Sequence, residues 1–157
     1  MRAFVLLFTL LLIFTTKLSA CSCIEENNSF RKKVKTEYVE SDLIFTGTVL
    51  SRKEIPKTSR KVFGSAVVFT FEVSEIIKGK RHHSQIEVIT NSDGASCGYE
   101  FEVGNTYLVY SRQSHYYTPV TQSKSDFITG LCYRNQKLKN VRKKEHRILS
   151  RMARKHN

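Results

Sequence analysis

The strongest constraint on how this chain folds is a pair of cysteines, Cys21 and Cys23, that directly follows an export signal. The apolar run from Ala3 to Phe14 is too short to span a bilayer. It is followed by the small pair Ser19-Ala20, a pattern typical of a signal peptide. We therefore expect residues 1–20 to be removed on export, which leaves a mature chain that begins at Cys21.

The chain has two further cysteines, Cys97 and Cys132, and four cysteines in an exported domain most simply form two disulfide bonds. Residues two apart on an extended segment project to the same face, so Cys21 and Cys23 are poorly placed to bond each other. Each is then expected to bond Cys97 or Cys132, in either of two pairings. A zinc site is disfavoured because Cys97 and Cys132 are isolated in the sequence, and we expect the chain to bind no metal of its own.

The way in which the signal is removed decides where the protein resides. The segment Leu18-Ser19-Ala20-Cys21 resembles the lipobox of bacterial lipoproteins, in which the cysteine thiol is lipidated before cleavage and the new amine is then acylated. Ordinary cleavage instead leaves the Cys21 sulfur available for a disulfide. The two outcomes exclude each other, since a thioether sulfur cannot join a disulfide. The sequence therefore predicts either a secreted protein or one that is lipid-anchored in a bacterial cell envelope, with no transmembrane segment in the mature chain.

Residues 21–157 are one domain by length, and their charge is unevenly distributed. Nine lysines and arginines lie between Lys137 and Lys155, opposed there only by Glu145. The body of the domain, residues 21–136, has 15 basic and 13 acidic residues and is nearly neutral. The high net charge thus belongs to the C-terminal segment, and we divide the mature chain into a domain at 21–135 and a basic tail at 136–157.

The middle of the chain has the alternating apolar pattern of β-strands, rich in β-branched and aromatic residues. Five strands are predicted, around Leu43–Leu50, Val67–Val73, Ile86–Ile89, Thr106–Tyr110 and Phe127–Cys132. Turn residues separate most of them, and a longer polar connection from Arg52 to Ser65 joins the first two. Five short strands with helices only at the ends predict a mainly β fold, a small closed barrel.

A helix is predicted at each end of this barrel. Ser29 can cap a helix that runs to about Glu40. In the tail, an apolar stripe interrupted by Glu145 predicts an amphipathic helix, formed by Leu138, Val141, Ile148, Leu149 and Met152. Two interpretations of that helix stay open. It packs on the barrel and solvates its outer face, or its basic face binds an anionic surface such as lipid headgroups or an acidic polysaccharide.

Several segments together resemble the inhibitory domain of the tissue inhibitors of metalloproteinases and the related netrin-like modules, and most of all the shorter bacterial members. The resemblance covers about residues 21–135 and rests on Cys21-Ser22-Cys23, Ser41–Val49, Phe71-Glu72-Val73, Lys78-Gly79, Cys97–Phe101, Gly104–Tyr110 and Gly130-Leu131-Cys132. It implies a five-stranded barrel of the OB type. It also implies that Cys21 is joined to Cys97 and Cys23 to Cys132.

The resemblance further implies a binding function. In that family the first cysteine chelates the catalytic zinc of a protease through its α-amine and carbonyl oxygen, and the second residue enters the specificity pocket. Those roles would fall here to Cys21 and Ser22. The resemblance thus implies a zinc metalloprotease as the partner, while the alternative is a lipid-anchored envelope module that uses the same barrel without inhibiting a protease.

Enzymatic and nucleic-acid functions have weaker support in the sequence. No Ser/His/Asp or Cys/His arrangement has a recognisable local signature, so we expect no catalytic residues and no cofactor. Tyr110, Tyr116 and Tyr117 lie near Arg112 and His115 and could stack bases, but the neutral body of an exported domain argues against nucleic acid. Adjacent histidines on a strand point to opposite faces, so His82-His83 is interpreted as a solvated loop.

Overall fold

The computed structural model describes residues 21–24, 27–55, 65–80, 84–92 and 94–156. The predicted signal peptide, most of the connection between the first two strands, and His82-His83 lie outside these residues. The elements in chain order are α1 (Phe30–Glu40), β1 (Leu43–Ile55), β2 (Ala66–Lys78), β3 (Gln85–Asn91), β4 (Thr106–Ser114), the short α2 (Thr118–Thr121), β5 (Asp126–Ile128), β6 (Gln136–Lys137), a 3-10 turn (Leu138–Asn140) and α3 (Lys143–His156).

Five strands are joined by hydrogen bonds in a ring. β1 pairs with β2, β2 with β3, and β4 with both β1 and β5, all antiparallel, while β3 and β5 are parallel. The short β6 adds to β4 at Tyr107 and Leu108. The prediction of a mainly β fold with helices at its ends is confirmed.

β1 pairs on both of its edges, because residues 44–48 pair with β4 on one side and with β2 on the other. The register with β2 shifts between Thr46 and Gly47, where the two backbones approach closely. A Cβ atom on Gly47 would lie 2.8 Å from the carbonyl oxygen of Glu72, closer than real Cβ contacts, so only glycine fits there.

Buried apolar residues form three clusters, and the two largest take up the alternating side chains of β1. One cluster is lined by aromatic rings in edge-to-face contact: Phe45 with Phe71 at 5.3 Å, and Phe101 with Phe69, Phe71 and Tyr107 at 5.0–5.1 Å between ring centroids. The other contains Ile44, Leu108 and Tyr110, which meet the helices. The two faces of β1 therefore contribute to different parts of the core.

α1 begins as predicted, since the Ser29 hydroxyl accepts a hydrogen bond from the backbone amide of Lys32. Its buried residues Val34 and Tyr38 pack in the second cluster with Ile148 and Leu149 of α3. The C-terminal helix therefore packs on the fold, although it begins at Lys143 and is preceded by β6 and the 3-10 turn. None of the described helices is long and apolar enough to cross a bilayer.

The sequence interpretation of Glu145 as an interruption of the apolar stripe is wrong. Its side chain is 1% exposed and accepts hydrogen bonds from four donors. They are the hydroxyl of Tyr110 at 2.9 Å, Nε and Nη2 of Arg134 at 3.1 and 3.0 Å, and Nε2 of Gln136 at 3.0 Å. Burial is the larger cause and the adjacent carboxylate the smaller cause of a raised pKa of Tyr110. Its phenol therefore stays protonated and donates the hydrogen bond. Glu145 thus docks α3 on β4 and on the segment that leads into β6.

The fifth strand is shorter than predicted and ends at Ile128. Beyond it, Thr129 donates its hydroxyl to the carbonyl oxygen of Tyr110 at 2.7 Å. The buried Asn135 accepts from the Tyr110 amide at 2.9 Å and donates to the Thr129 hydroxyl oxygen at 2.7 Å. These side chains replace the backbone pairing with β4, although the Thr129 amide still donates to the Ile89 carbonyl oxygen of β3 at 2.9 Å. The chain then turns at Leu131 and Cys132, which leaves Cys132 exposed.

Candidate functional site

Residues Cys21 to Ile24 have no regular secondary structure and are held by two disulfide bonds. Cys21 bonds Cys97 and Cys23 bonds Cys132, each with 5.3 Å between the Cα atoms. Cys21 is buried, whereas Ser22, Cys23 and Ile24 are exposed, and Ile24 has 96% of its surface accessible. The segment is therefore fixed at both cysteines and presents its remaining side chains to solvent.

The turn that carries Cys97 is shaped by backbone contacts. Cys97 has a φ of 61°, in the left-handed region, and its amide donates to the carbonyl oxygen of Gly94 at 3.2 Å. The Cys97 carbonyl oxygen accepts from the amide of Leu131 at 2.8 Å. A Cβ atom on Gly130 would lie 2.8 Å from that same oxygen, so glycine permits the two turns to touch. The turn that carries Cys97 and the turn that carries Cys132 are therefore in direct contact.

Side chains anchor the Cys97 turn to the sheet as well. The Asn91 side-chain amide donates to the Ser96 carbonyl oxygen and accepts from the Tyr117 hydroxyl at 2.6 Å. The Tyr99 amide donates to the hydroxyl oxygen of the buried Thr90 at 3.0 Å. Burial raises the pKa of Tyr117 to about 12, which keeps its phenol protonated as a donor. The turn is therefore held on both sides by hydrogen bonds to β3 and to the residue before α2.

A cavity of about 340 Å³ lies beside the Cys23–Cys132 bond, between the N-terminal segment and α1. Ile24 and Leu131 supply its apolar lining, and Lys33 and Glu37 supply charged groups from α1. A second cavity of about 260 Å³, lined by Cys97, Tyr116 and Tyr117, lies on the other side of the turn. Leu131, Cys132 and Tyr133 line both cavities and so separate one from the other.

Two exposed apolar side chains flank the disulfides, since Leu131 is 43% accessible and Ile24 almost wholly so. Tyr116, also 43% accessible, stands at the second cavity and contacts Tyr117 edge-to-face at 4.8 Å. We define the N-terminal ridge as residues 21–24 together with Leu131, Cys132 and Tyr133. It combines a fixed backbone with accessible apolar surface, which suits contact with another protein.

Three charged side chains near the ridge interact with one another: Glu37, Glu40 and Arg112. Arg112 forms an ion pair with Glu40, and its Nη2 lies 3.8 Å from Oε1 of Glu37. Its guanidinium also stacks at 5.0 Å from the ring of Tyr133. Desolvation, partly offset by Arg112, raises the pKa of Glu37, whose Oε1 is buried with no hydrogen-bond donor among the residues that the structure describes. The carboxylate therefore lies in an unfavourable environment at the wall of the larger cavity.

The cysteines of the ridge serve a structural role. All four cysteines are in disulfides, so no thiol remains as a nucleophile. Among the described residues, no three or more His, Cys, Asp or Glu side chains are grouped as a metal would need. Of the predicted tyrosine cluster, Tyr110 and Tyr117 are buried and only Tyr116 is exposed, which leaves no row of accessible rings.

The structure brings Cys21, Ser22 and Cys23 to one edge with both partner cysteines. Sequence reasoning missed the apolar contribution of Ile24 and Leu131 and the charged group around Glu37. A glycine just before Leu131-Cys132 was the available signal for the close approach of the two turns. Comparison with protein-family models and with curated proteins finds no match for this chain.

Proposed function

We propose that the exported chain is an inhibitor-like binding module for zinc metalloproteases, built on a closed OB-type barrel like that of the tissue inhibitors of metalloproteinases. The ring of five strands supports the barrel. The observation that carries the function is the N-terminal ridge, in which Cys21-Ser22-Cys23 is held by two disulfides while Ser22 and Ile24 face solvent. The proposed partner supplies the zinc, and this chain supplies the ligands.

Cleavage after Ala20 would give Cys21 a new α-amine, whose pKa is ordinarily about 8. Such an amine loses its proton readily at neutral pH when a metal competes for it. Together with the carbonyl oxygen of the same residue it forms a bidentate N,O ligand, and catalytic zinc accepts such atoms at its open position. Chelation there displaces the water that the protease needs for hydrolysis.

The other residues of the ridge have supporting roles in this proposal. Ser22 would place a small side chain in the specificity pocket of the protease. Ile24 and Leu131 would contact its surface on either side, and burial of these exposed side chains would add affinity. Because both disulfides fix the segment before binding, little conformational entropy remains to be lost there.

The Cys21–Cys97 bond also bears on the alternative, a lipid-anchored envelope module. A sulfur in a disulfide cannot carry a thioether-linked lipid, and acylation of the amine would remove the proposed chelator. The disulfide therefore favours the secreted inhibitor over the lipoprotein.

The test is an extension by one residue. The secreted protein is prepared with Cys21 as its first residue, verified by intact mass, and compared with a variant that carries one alanine before Cys21. The extension converts the amine into an amide, a very poor metal ligand, and leaves every side chain in place. Against a panel of zinc proteases, the inhibition constant of the extended form should rise at least about 100-fold, as expected for the loss of a central hot spot.

A variant with one alanine added after Asn157 is the matched control and should inhibit like the native form. Equal inhibition by the N-terminally extended form would refute chelation. Failure of all three forms to inhibit any protease in the panel would refute the proposed function and favour the envelope module.

A further inference from the structure

A groove between α1 and α3 is the second distinctive surface of the molecule. Its volume is about 280 Å³, and four exposed cations line it: Arg31 and Lys35 from α1, and Arg151 and Lys155 from α3. Residues four apart on a helix lie on one face, so each helix contributes one row of positive charge. Sequence analysis placed the basic surface on the C-terminal segment alone, whereas the structure adds a second row from α1.

The carboxylates of the two helices are engaged elsewhere. Glu37 and Glu40 face Arg112, and Glu145 is buried against Arg134. Within the described residues, no carboxylate lines the groove, and no ion pair involves any of its four cations. Their charges therefore add to one another and are available to an anionic partner.

The groove also has an apolar part between the two rows of charge. Val39 is 67% exposed one turn beyond Lys35, and Met152 is half-buried. Exposed apolar side chains flanked by long cationic ones match the boundary between acyl chains and headgroups in a bilayer. A soluble polyanion would bind the four cations but would leave Val39 exposed to water.

We propose that this groove face of α1 and α3 docks on the surface of an anionic phospholipid bilayer. The four cations contact headgroup phosphates, and Val39 and Met152 reach the acyl boundary. The inference does not rest on protease inhibition, because the N-terminal ridge borders Lys33 and Glu37 on another face of α1. The two surfaces can be tested separately.

The experiment measures partition of the exported protein, expressed from its full sequence, onto vesicles of phosphatidylcholine with and without phosphatidylglycerol at about 0.1 M salt. The double variant Arg31→Glu/Lys35→Glu should bind the anionic vesicles at least about tenfold more weakly than the unaltered protein. An acidic residue in the first turn of α1 suits the helix dipole, so the fold should persist, which circular dichroism checks. Arg31→Lys/Lys35→Arg should retain binding.

The matched control is Lys53→Glu/Lys124→Glu, which changes the net charge equally at exposed positions outside the groove. It should weaken partition by less than about threefold, through the long-range field alone. A second pair isolates the apolar contact: Val39→Ser should weaken binding by about threefold, and Val103→Ser, an exposed valine elsewhere, should not.

Three results would overturn the proposal. The first is equal loss in the groove and control charge variants, which would mean that only net charge matters. The second is equal binding to vesicles without phosphatidylglycerol. The third is full competition by soluble glycerol phosphate, which would identify the groove as a site for free phosphate rather than for a bilayer surface.

Discussion

The buried carboxylate of Glu145 and the half-buried carboxylate of Glu37 lie in opposite environments. Glu145 accepts four hydrogen bonds, whereas Oε1 of Glu37 is buried and has no hydrogen-bond donor within the described part of the chain. Hydrogen bonds therefore compensate the burial of the first carboxylate, whereas desolvation of the second costs free energy. Since Glu37 lines the cavity beside the N-terminal ridge, part of the stability of α1 is lost next to the proposed binding surface.

Replacing Glu37 with glutamine should stabilise the protein at neutral pH. Desolvation raises the pKa of Glu37 in the folded state, although Arg112 lowers it in part. A raised folded pKa means that the folded state binds the proton more tightly, so the wild type loses stability as pH rises through that pKa. Glutamine resembles the protonated form. Urea unfolding should show Glu37→Gln as more stable than wild type at pH 7, with the difference vanishing below the ordinary pKa of 4.5.

Glu40→Gln provides the control for this prediction, because it removes the exposed carboxylate paired with the same Arg112. It should leave the free energy of unfolding at pH 7 unchanged or slightly lower. A Glu37→Gln protein that is less stable than wild type at pH 7 would mean that attraction to Arg112 outweighs desolvation.

At the scale of elements, sequence patterns located the helix start and the strands that depend on local interactions. The Ser29 cap fixed the start of α1, and period-two alternation located β1 to β4. β5 was predicted too long because Thr129 and Gly130 continue the pattern. Beyond Ile128, however, the side chains of Thr129 and Asn135 bind the Tyr110 backbone, and the Leu131 amide donates to the Cys97 carbonyl oxygen. The role of Glu145 was likewise invisible, since its partners Tyr110 and Arg134 are distant in the sequence.

The docking of α3 through Glu145 is testable by the substitution Glu145→Gln. Glutamine keeps the shape and an acceptor for Tyr110, but it removes the charge opposite Arg134, whose side chain is only 23% exposed. Breaking one side of a buried ion pair leaves the other charge uncompensated, and we expect a loss of about 3 kcal/mol in the free energy of unfolding.

Urea denaturation measures the free energy of unfolding of Glu145→Gln and compares it with that of Glu102→Gln. Glu102 forms an exposed pair with Lys137, so its substitution should have no measurable effect on stability. Equal stability of Glu145→Gln and wild type would show that hydrogen bonds, rather than charge, dock α3.

At the scale of the whole molecule, the candidate site is assembled from three segments that are far apart in the chain: residues 21–24, the turn at Cys97 and the turn at Cys132. Sequence reasoning could assign these cysteines to disulfides from export and spacing. It could not show that Ile24 and Leu131 are exposed beside them, because exposure depends on how the ring of strands and α1 place the turns.

The two disulfides should contribute almost equally to stability but unequally to inhibition. They join residues separated by 76 and 109 positions, and loop-closure entropy depends only on the logarithm of that length. Either double variant, Cys21→Ser/Cys97→Ser or Cys23→Ser/Cys132→Ser, should therefore lose about 4 to 5 kcal/mol in urea unfolding. A domain of this size has about 5 to 15 kcal/mol in total, so each variant should be weakened but still folded at low temperature.

The two disulfide variants are expected to have similar stability but to differ in how strongly they inhibit a protease. Under the proposed function, Cys21 supplies both ligand atoms, and its own disulfide is the bond that fixes them. The Cys21→Ser/Cys97→Ser form should therefore lose more inhibition than Cys23→Ser/Cys132→Ser when both are assayed under conditions where each is folded. Stability losses that differ by more than about 2 kcal/mol would indicate that residual structure or native strain, not loop length, governs the two bonds. Equal inhibition by two folded variants would mean that the chelating geometry does not depend on the Cys21–Cys97 bond.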